Sequence, residues 1–245
     1  MRLALQWILS LIFNIQMYLA LFVVGIVFLP WAIISRKGAR AACIVYCRWV
    51  RFSLRWLTGL KTELRGEIPR GEVIIAAKHQ SFLDIIMIFS EVTGAKFIMK
   101  RELMWAPILG FYAMRIGCVP VARGQRGRGV LKMKTDVQNG LQHAGQLVIY
   151  PQGTRTAPGE IQPYKSGVGA LYAMLKQDCV PAAVNVGVFW PKRSVMRKPG
   201  LAVIEFLPTI PAGLRASVFM AELEARVEEA SDRLMAEAGF IAPKA

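Results

Sequence analysis

No charged side chain interrupts the chain from Leu3 to Ile34, and most positions in that stretch are apolar. A bilayer-crossing helix needs about 20 predominantly apolar residues, so this stretch is long enough to hold one. Gln6, Ser10, Asn14 and Gln16 dilute its first half, whereas Met17–Ile34 is cleaner, with Pro30 expected to kink or end the helix. The pattern then changes over Ala41–Leu60, where Arg48, Arg51 and Arg55 recur at helical spacing among Ile44, Val45, Trp49, Phe52, Leu54, Trp56 and Leu57. Such a pattern suits a helix lying in a membrane interface, or a core helix with one wet face. The segment contains no acidic partner, which favours the interfacial reading. Thr58-Gly59 and the run Arg65–Gly71 mark a boundary and a loop. Beyond them, short β-branched runs alternate with longer helical patterns. Strands are expected at Val73–Ala77, Lys96–Met99, Cys118–Val121, Leu147–Tyr150, Ala182–Val188 and Ala202–Phe206. Helices are expected at Leu83–Glu91, Leu103–Arg115, Val130–Ala144, Gly167–Gln177 and Val218–Ala238. The alternation predicts an α/β domain, a mainly parallel layered sheet with flanking helices, preceded by an N-terminal membrane-associated helical segment. Residues 1–60 form the anchoring segment in this division and residues 61–245 the domain.

Composition supports the membrane reading. Apolar residues make up 54% of the 245, against 19% charged, and the mean hydropathy is +0.38. This excludes intrinsic disorder and exceeds the apolar share of ordinary soluble domains. The net charge of +15 directs the chain toward anionic surfaces or phosphorylated substrates. A basic beginning and middle with an acidic last helix do not resemble a nucleic-acid module. Arg36, Lys37 and Arg40 follow the apolar run, which places its carboxyl side in the cytoplasm. A cleaved signal peptide fits poorly, because the run is long and Ser35 leads directly into Arg36 and Lys37. Ala41-Ala42-Cys43 hints at a lipoprotein box, but Arg40 stands where that box takes an apolar residue. The four cysteines contain no Cys-x-x-Cys pair and the chain has two histidines, so neither a disulfide scaffold nor a zinc site is expected. Reduced thiols facing a cytosol are the default.

The chain lacks a Gly-x-x-x-x-Gly-Lys phosphate loop, a Gly-x-Gly-x-x-Gly turn and a Gly-x-Ser-x-Gly elbow. What stands out is Lys78-His79-Gln80-Ser81-Phe82-Leu83-Asp84 at the end of a predicted strand. On a regular helix five residues turn through about 140°, so His79 and Asp84 would not share a face. With His79 in the loop and Asp84 in the first helical turn, the carboxylate reaches back to the imidazole, the base-plus-orienter arrangement of acyl transfer. The structural alternative is an N-cap at Ser81 with an acid at the third helical position. A second feature is Val148-Ile149-Tyr150-Pro151-Gln152-Gly153-Thr154-Arg155, a buried strand running into a turn. Sheet-end loops are where α/β sites are assembled, and an arginine there suits bidentate phosphate binding. A surface turn with a solvated arginine gives the same string.

Taken together, His79 to Asp84, then Lys100-Arg101-Glu102-Leu103 through Pro107 and Gly110, then Tyr150–Arg155, then Val180-Pro181-Ala182 resemble the glycerolipid acyltransferases. That family carries four ordered blocks: Asn-His-x4-Asp, a Lys-x-Glu-Leu block ending in arginine, Phe-Pro-Glu-Gly-Thr-Arg, and a Val-Pro-hydrophobic strand. All four occur here in order between Lys78 and about Val188, with Lys78 in place of Asn, Tyr150 in place of Phe and Gln152 in place of Glu.

The resemblance implies an enzyme of phospholipid biosynthesis. It would move a fatty acyl group from acyl-CoA or acyl-carrier protein to the sn-2 hydroxyl of 1-acyl-glycerol-3-phosphate, giving phosphatidic acid. His79 would be the general base and Asp84 its orienter. Imidazole is the side chain whose ordinary titration lies nearest neutrality. Lys100, Arg101, Arg123 and the Gln152-Gly153-Thr154-Arg155 turn would bind substrate, with Arg155 holding the phosphate. Backbone N–H groups near Ser81 would face the oxyanion, and the basic loop Lys192-Arg193…Arg197-Lys198 would dock the acyl donor. No metal or other cofactor is expected. The partners implied are membrane lipids, the lysophospholipid and the thioester donor, with no nucleic acid, at a bacterial-type inner membrane. Two alternatives remain at this point: acylation of another lyso-lipid, such as an amino-acid lyso-lipid, and a non-catalytic membrane-bound anion-binding protein.

Overall fold

The computed structural model describes residues 2–92, 94–121 and 145–241. The helix expected over residues 130–144, with His143, and the candidate Arg123 lie outside the described residues. Among the described residues, seven strands form one sheet in the order β1-β7-β6-β2-β5-β3-β4. They are β1 (Leu60–Arg65), β2 (Ile74–Ala77), β3 (Lys96–Lys100), β4 (Val119–Val121), β5 (Leu147–Ile149), β6 (Cys179–Val184) and β7 (Gly200–Phe206). Strands β6, β2, β5, β3 and β4 run parallel, whereas β7 pairs antiparallel with β6 and parallel with β1. The sheet is therefore mixed, with a parallel centre and two reversed strands at one edge. Helices cover both faces. On one side α3 (Arg36–Thr58), α4 (Leu83–Glu91), α5 (Leu109–Arg115) and α7 (Val186–Phe189) bury Ile75, Ala77, Val148 and Val184. On the other, α6 (Gly167–Leu175) and α8 (Ala216–Glu237) bury Ile74, Ala76, Leu147 and Cys179.

The differences from the sequence expectation have local causes. Strand β1 is not among the expected strands: an edge strand with one covered face alternates Lys61, Glu63 and Arg65 with Leu60, Thr62 and Leu64, and so carries no continuous apolar run. The strand expected at Ala182–Val188 begins earlier and ends at Val184. Pro181 stands inside it, and its carbonyl accepts from Leu207 N. Asn185 ends it. Its side chain accepts from Val203 N at 2.7 Å and donates to Leu234 O at 3.1 Å, replacing the ladder, and the chain turns into α7. The single helix expected over Leu103–Arg115 is a 3₁₀ turn, Arg101–Trp105, followed by α5. Pro107 forces Ala106 into an extended conformation and stops the first turn. At Gly110 a Cβ would lie 2.1 Å from Met104 O, so the two pieces pack together only over a glycine.

The amino-terminal helix α1 (Arg2–Val27) is continued by α2 (Leu29–Ile34), with Pro30 in the first turn of the second helix as its fixed φ favours. Its Leu3–Val27 segment, with mean hydropathy 2.1, is long and apolar enough to cross a membrane. One stripe of α1, including Ser10, Phe13 and Met17, is buried against the domain. The polar residues that dilute it form the docking seam. Gln6 Nε2 donates to the carbonyls of Thr58 (3.0 Å) and Arg197 (2.7 Å). Asn14 Nδ2 donates to Val195 O (2.9 Å), and Gln16 Nε2 to Ser53 Oγ (2.9 Å). The rest of the helix exposes apolar side chains, among them Leu5, Leu11, Ile15, Leu19 and Phe22.

Helix α3 ends on Gly59 in the left-handed conformation. It exposes Val45, Trp49, Phe52 and Trp56 as a stripe flanked by Arg48 and Arg55. Arg51 does not belong to that stripe. It pairs with Glu91 at 2.5 Å and donates to Thr62 and Ser90, so the helix does have an acidic partner, contributed by α4.

Candidate active site

His79, Asp84 and the Gln152–Arg155 turn lie at the carboxyl ends of the adjacent parallel strands β2 and β5, where open α/β sheets bind ligands. Strand β2 is buried on both faces and ends at Ala77. Lys78 N still donates to Ala182 O, so the strand direction carries on for one residue, and His79 then emerges on the α4 side. Asp84 stands in the first turn of α4 with its side chain fully buried. His79 Nδ1 lies 3.0 and 3.1 Å from the two carboxylate oxygens. Asp84 Oδ2 also accepts from Gln80 N and Ser81 N, each at 2.9 Å. The carboxylate therefore shapes the loop and orients the ring at once. With the carboxylate accepting a hydrogen bond from Nδ1–H, Nε2 is left as the acceptor.

That arrangement departs from two sequence readings. Ser81 is not the side-chain N-cap of α4, although its Oγ accepts from Leu83 N at 3.2 Å. The amides of Gln80 and Ser81 donate to Asp84 and are not directed at an oxyanion.

Tyr150 completes the pair, in a role the sequence reading missed. Its ring stacks on His79 with centroids 3.9 Å apart, and its hydroxyl lies 3.4 Å from Asp84 Oδ1. Burial, reinforced by the Asp84 charge, pushes the phenol well above its ordinary range, so it stays a donor. Its position at the end of a buried strand, in place of phenylalanine, was the available signal. Thr156 N donates to His79 O at 2.8 Å, which brings the Gln152–Arg155 turn alongside the histidine loop. Gly153 holds φ +69 in that turn.

The candidate substrate residues divide. Arg155, Thr154 and Gly153 are half-buried on the turn. Lys100 lines the cavity next to His79 and is exposed, 3.3 Å from Glu102; Arg101 is exposed beside it. Gln152 is buried, and its amide is turned toward Glu228 on α8. Arg197 is not a surface docking cation. Its guanidinium is buried, stacks 4.0 Å over Trp190 and donates to Asn14 Oδ1 at 2.6 Å, whereas Lys192, Arg193 and Lys198 of the same loop are exposed.

His79 and Tyr150 stand at one wall of a partly open apolar chamber of about 210 Å³ that runs between α1, α3, α4 and α5, with Leu21, Cys43, Phe89 and Ile108 among its walls. Three free cysteines, Cys43, Cys47 and Cys118, also line it. Burial pushes the Cys43 thiol up to about 12 and that of Cys118 up to about 11, so neither is a ready nucleophile at neutral pH. Among the described residues no cluster of three His, Cys, Asp or Glu side chains could hold a metal ion.

The chain is similar to several known proteins. A 1-acyl-sn-glycerol-3-phosphate acyltransferase of Pseudomonas aeruginosa is 28% identical over 195 residues, covering 77% of this chain and 76% of the relative. The human protein named 1-acyl-sn-glycerol-3-phosphate acyltransferase alpha is 25% identical over 180 residues, covering 71% of this chain and 64% of the relative. The crystal structure of the 1-acyl-sn-glycerophosphate acyltransferase of Thermotoga maritima superimposes with a TM-score of 0.78 at 18% identity, over 96% of this chain and 99% of that one, and so shares the fold. The family model described as Acyltransferase matches residues 60–185, the span from β1 to the end of β6 that contains His79, Asp84 and the Arg155 turn. With more than half its length matched and the histidine–aspartate pair lying inside the match, this chain belongs to the acyltransferase family.

Proposed function

We propose that the chain is a 1-acylglycerol-3-phosphate O-acyltransferase. In this reading it transfers a fatty acyl group from acyl-CoA or acyl-carrier protein to the sn-2 hydroxyl of 1-acyl-glycerol-3-phosphate, and releases phosphatidic acid and the free thiol. The observation that carries the reading is the His79–Asp84 pair opening onto an apolar chamber. A base beside a long apolar space suits a reaction between a hydroxyl and the carboxyl carbon of a fatty chain.

His79 Nε2 takes the proton of the acceptor hydroxyl as its oxygen attacks the thioester carbonyl. The C–O bond forms, the C–S bond breaks, and the proton on His79 passes to the leaving thiolate. Asp84 stabilises the imidazolium in between. The chamber takes the acyl chain, whose burial is worth ~0.8 kcal/mol per methylene. Arg155 meets the acceptor phosphate with a two-pronged contact, and Lys100 and Arg101 add positive charge at the mouth, with Arg123 the further candidate. The exposed Lys192, Arg193 and Lys198 face the anionic donor.

Residues 1–60 serve as the membrane-binding segment. The exposed apolar face of α1 and the Trp49–Phe52–Trp56 stripe of α3 support this, with Arg48 and Arg55 meeting anionic headgroups. The basic cluster after α2 supports a site on the cytoplasmic side.

The test is purified protein with a panel of lyso-lipids, phosphorylated and not, against both acyl donors. Acylation of 1-acyl-glycerol-3-phosphate well above all other acceptors is expected. Preference for a phosphate-free or amino-acid lyso-lipid would overturn the acceptor assignment, and absence of thiol release with every acceptor would overturn the activity.

A further inference from the structure

Lys78 and Gln80, the residues on either side of His79, point away from the chamber and across the sheet, as strand alternation requires. Both are buried, and both end on α8. Lys78 Nζ forms an ion pair with Glu228, with 3% of the lysine side chain exposed. Gln80 Nε2 meets Met235 Sδ, while Gln80 Oε1 accepts from Gly187 N at 3.0 Å. Glu228 and Met235 are seven residues apart and share one face of α8. Glu228 also reaches the second catalytic loop. Its Oε1 accepts from Tyr164 OH at 2.9 Å, and Gln152 Nε2 lies 3.4 Å away. One carboxylate thus ties the residue before His79 to the turn that carries Arg155.

Two departures from the family blocks fall on this contact. Lys78 is the buried member of the pair, and the half-exposed Glu228 supplies the negative charge that a buried ammonium requires. A glutamate at 152 would stand beside Glu228 as a like charge in a buried site, and a glutamine there removes the repulsion. The carboxylate of this region therefore comes from α8, beyond residues 60–185 that the family model matches.

We infer that Glu228, through its ion pair with Lys78 and its contacts with Tyr164 and Gln152, is a positioning residue that fixes the His79 loop and the Arg155 turn relative to each other. The inference rests on the reading of His79 as the base. Glu228 lies across the sheet from His79 and acts through Lys78, the residue before the histidine, and through Gln152 on the turn. Misplacing a catalytic group by about 1 Å costs on the order of 100-fold in rate.

The experiment compares Glu228→Gln, Glu228→Asp and the paired Lys78→Met/Glu228→Leu variant in the full-length protein, with His79→Ala as reference. Thermal unfolding is measured beside kcat and KM for donor and acceptor. Glu228→Gln should lower kcat by ~10–100-fold with both KM values within about threefold of wild type. Glu228→Asp, which keeps the charge, should recover most of that loss. The paired variant replaces the ion pair by apolar groups, which buried sites often accept without loss of stability. It should fold but retain the low kcat, because packing alone does not direct the Lys78 and Gln152 side chains. A folded Glu228→Gln enzyme with kcat within about twofold of wild type would overturn the inference. If Glu228→Gln does not fold, the paired variant decides: low kcat supports positioning, and wild-type kcat shows a purely structural pair. Full activity in His79→Ala would instead overturn the underlying reading of the base.

Discussion

Replacing Asp84 by asparagine isolates the orienting role of the carboxylate. Four donors converge on Asp84: His79 Nδ1, Gln80 N, Ser81 N and, at longer range, Tyr150 OH. A carboxylate can satisfy all four, whereas an amide has one oxygen and two protons of its own. The two backbone amides cannot rotate away, so they retain the oxygen. The amide NH₂ then faces His79, and Nδ1 must become the acceptor. That places the ring proton on Nε2, the nitrogen that has to receive the substrate proton. Loss of the correct tautomer in a comparable triad costs ~10⁴ in kcat, and we expect ~10³–10⁴ here, equivalent to ~4–5.5 kcal/mol of barrier. The loss of charge-assisted hydrogen bonds should destabilise the fold by about 1–3 kcal/mol. Thiol release is followed at saturating acceptor and donor, with circular dichroism confirming a folded protein. KM should change little, since Asp84 is buried behind His79. A folded Asp84→Asn enzyme with more than about a tenth of wild-type kcat would refute the tautomer argument.

Three further outcomes are expected. Arg155→Ala should lower kcat/KM for the phosphorylated acceptor by ~10–150-fold, the equivalent of a lost charge-assisted hydrogen bond of ~1.5–3 kcal/mol; an equal loss with a phosphate-free lyso-lipid would make Arg155 structural. Arg48→Ala/Arg55→Ala in the full chain should weaken binding to anionic vesicles at low salt by ~10–30-fold, at about 1 kcal/mol per surface cation, and unchanged binding would contradict the interfacial reading of α3. Burial raises the thiols, to about 12 for Cys43 and Cys179 and about 11 for Cys118, and so keeps them protonated at pH 8. Iodoacetamide at that pH should leave activity within about twofold, and rapid inactivation would point to a thiol at work.

The parallel centre of the sheet was legible because its strands are buried on both faces and read as short apolar runs, as Ile74–Ala77 does. Strand β1 was not, since a half-covered edge carries as many charges as a loop. Helix α4 was placed with its observed bounds, whereas Asn185 ended β6 through side-chain bonds to β7 and α8 that no local pattern announces. Within the site, the spacing of His79 and Asp84 was compatible with a loop–helix contact, and the structure brings the two together. Arg51 and Arg197 misled for one reason: their partners, Glu91 and Asn14, lie 40 and 183 residues away in sequence. Glu228 was invisible among the other acids of α8, because only the folded chain brings it to Lys78.

The central claim is that His79 acts as the base in acyl transfer to a lysophospholipid. The most direct measurement is phosphatidic acid formation by purified wild-type and His79→Ala protein, followed by mass spectrometry with acyl-CoA and 1-acyl-glycerol-3-phosphate supplied together in vesicles. The account predicts phosphatidic acid from the wild type and at least ~10²-fold less from a folded, vesicle-bound His79→Ala protein. Comparable product from both proteins would contradict it.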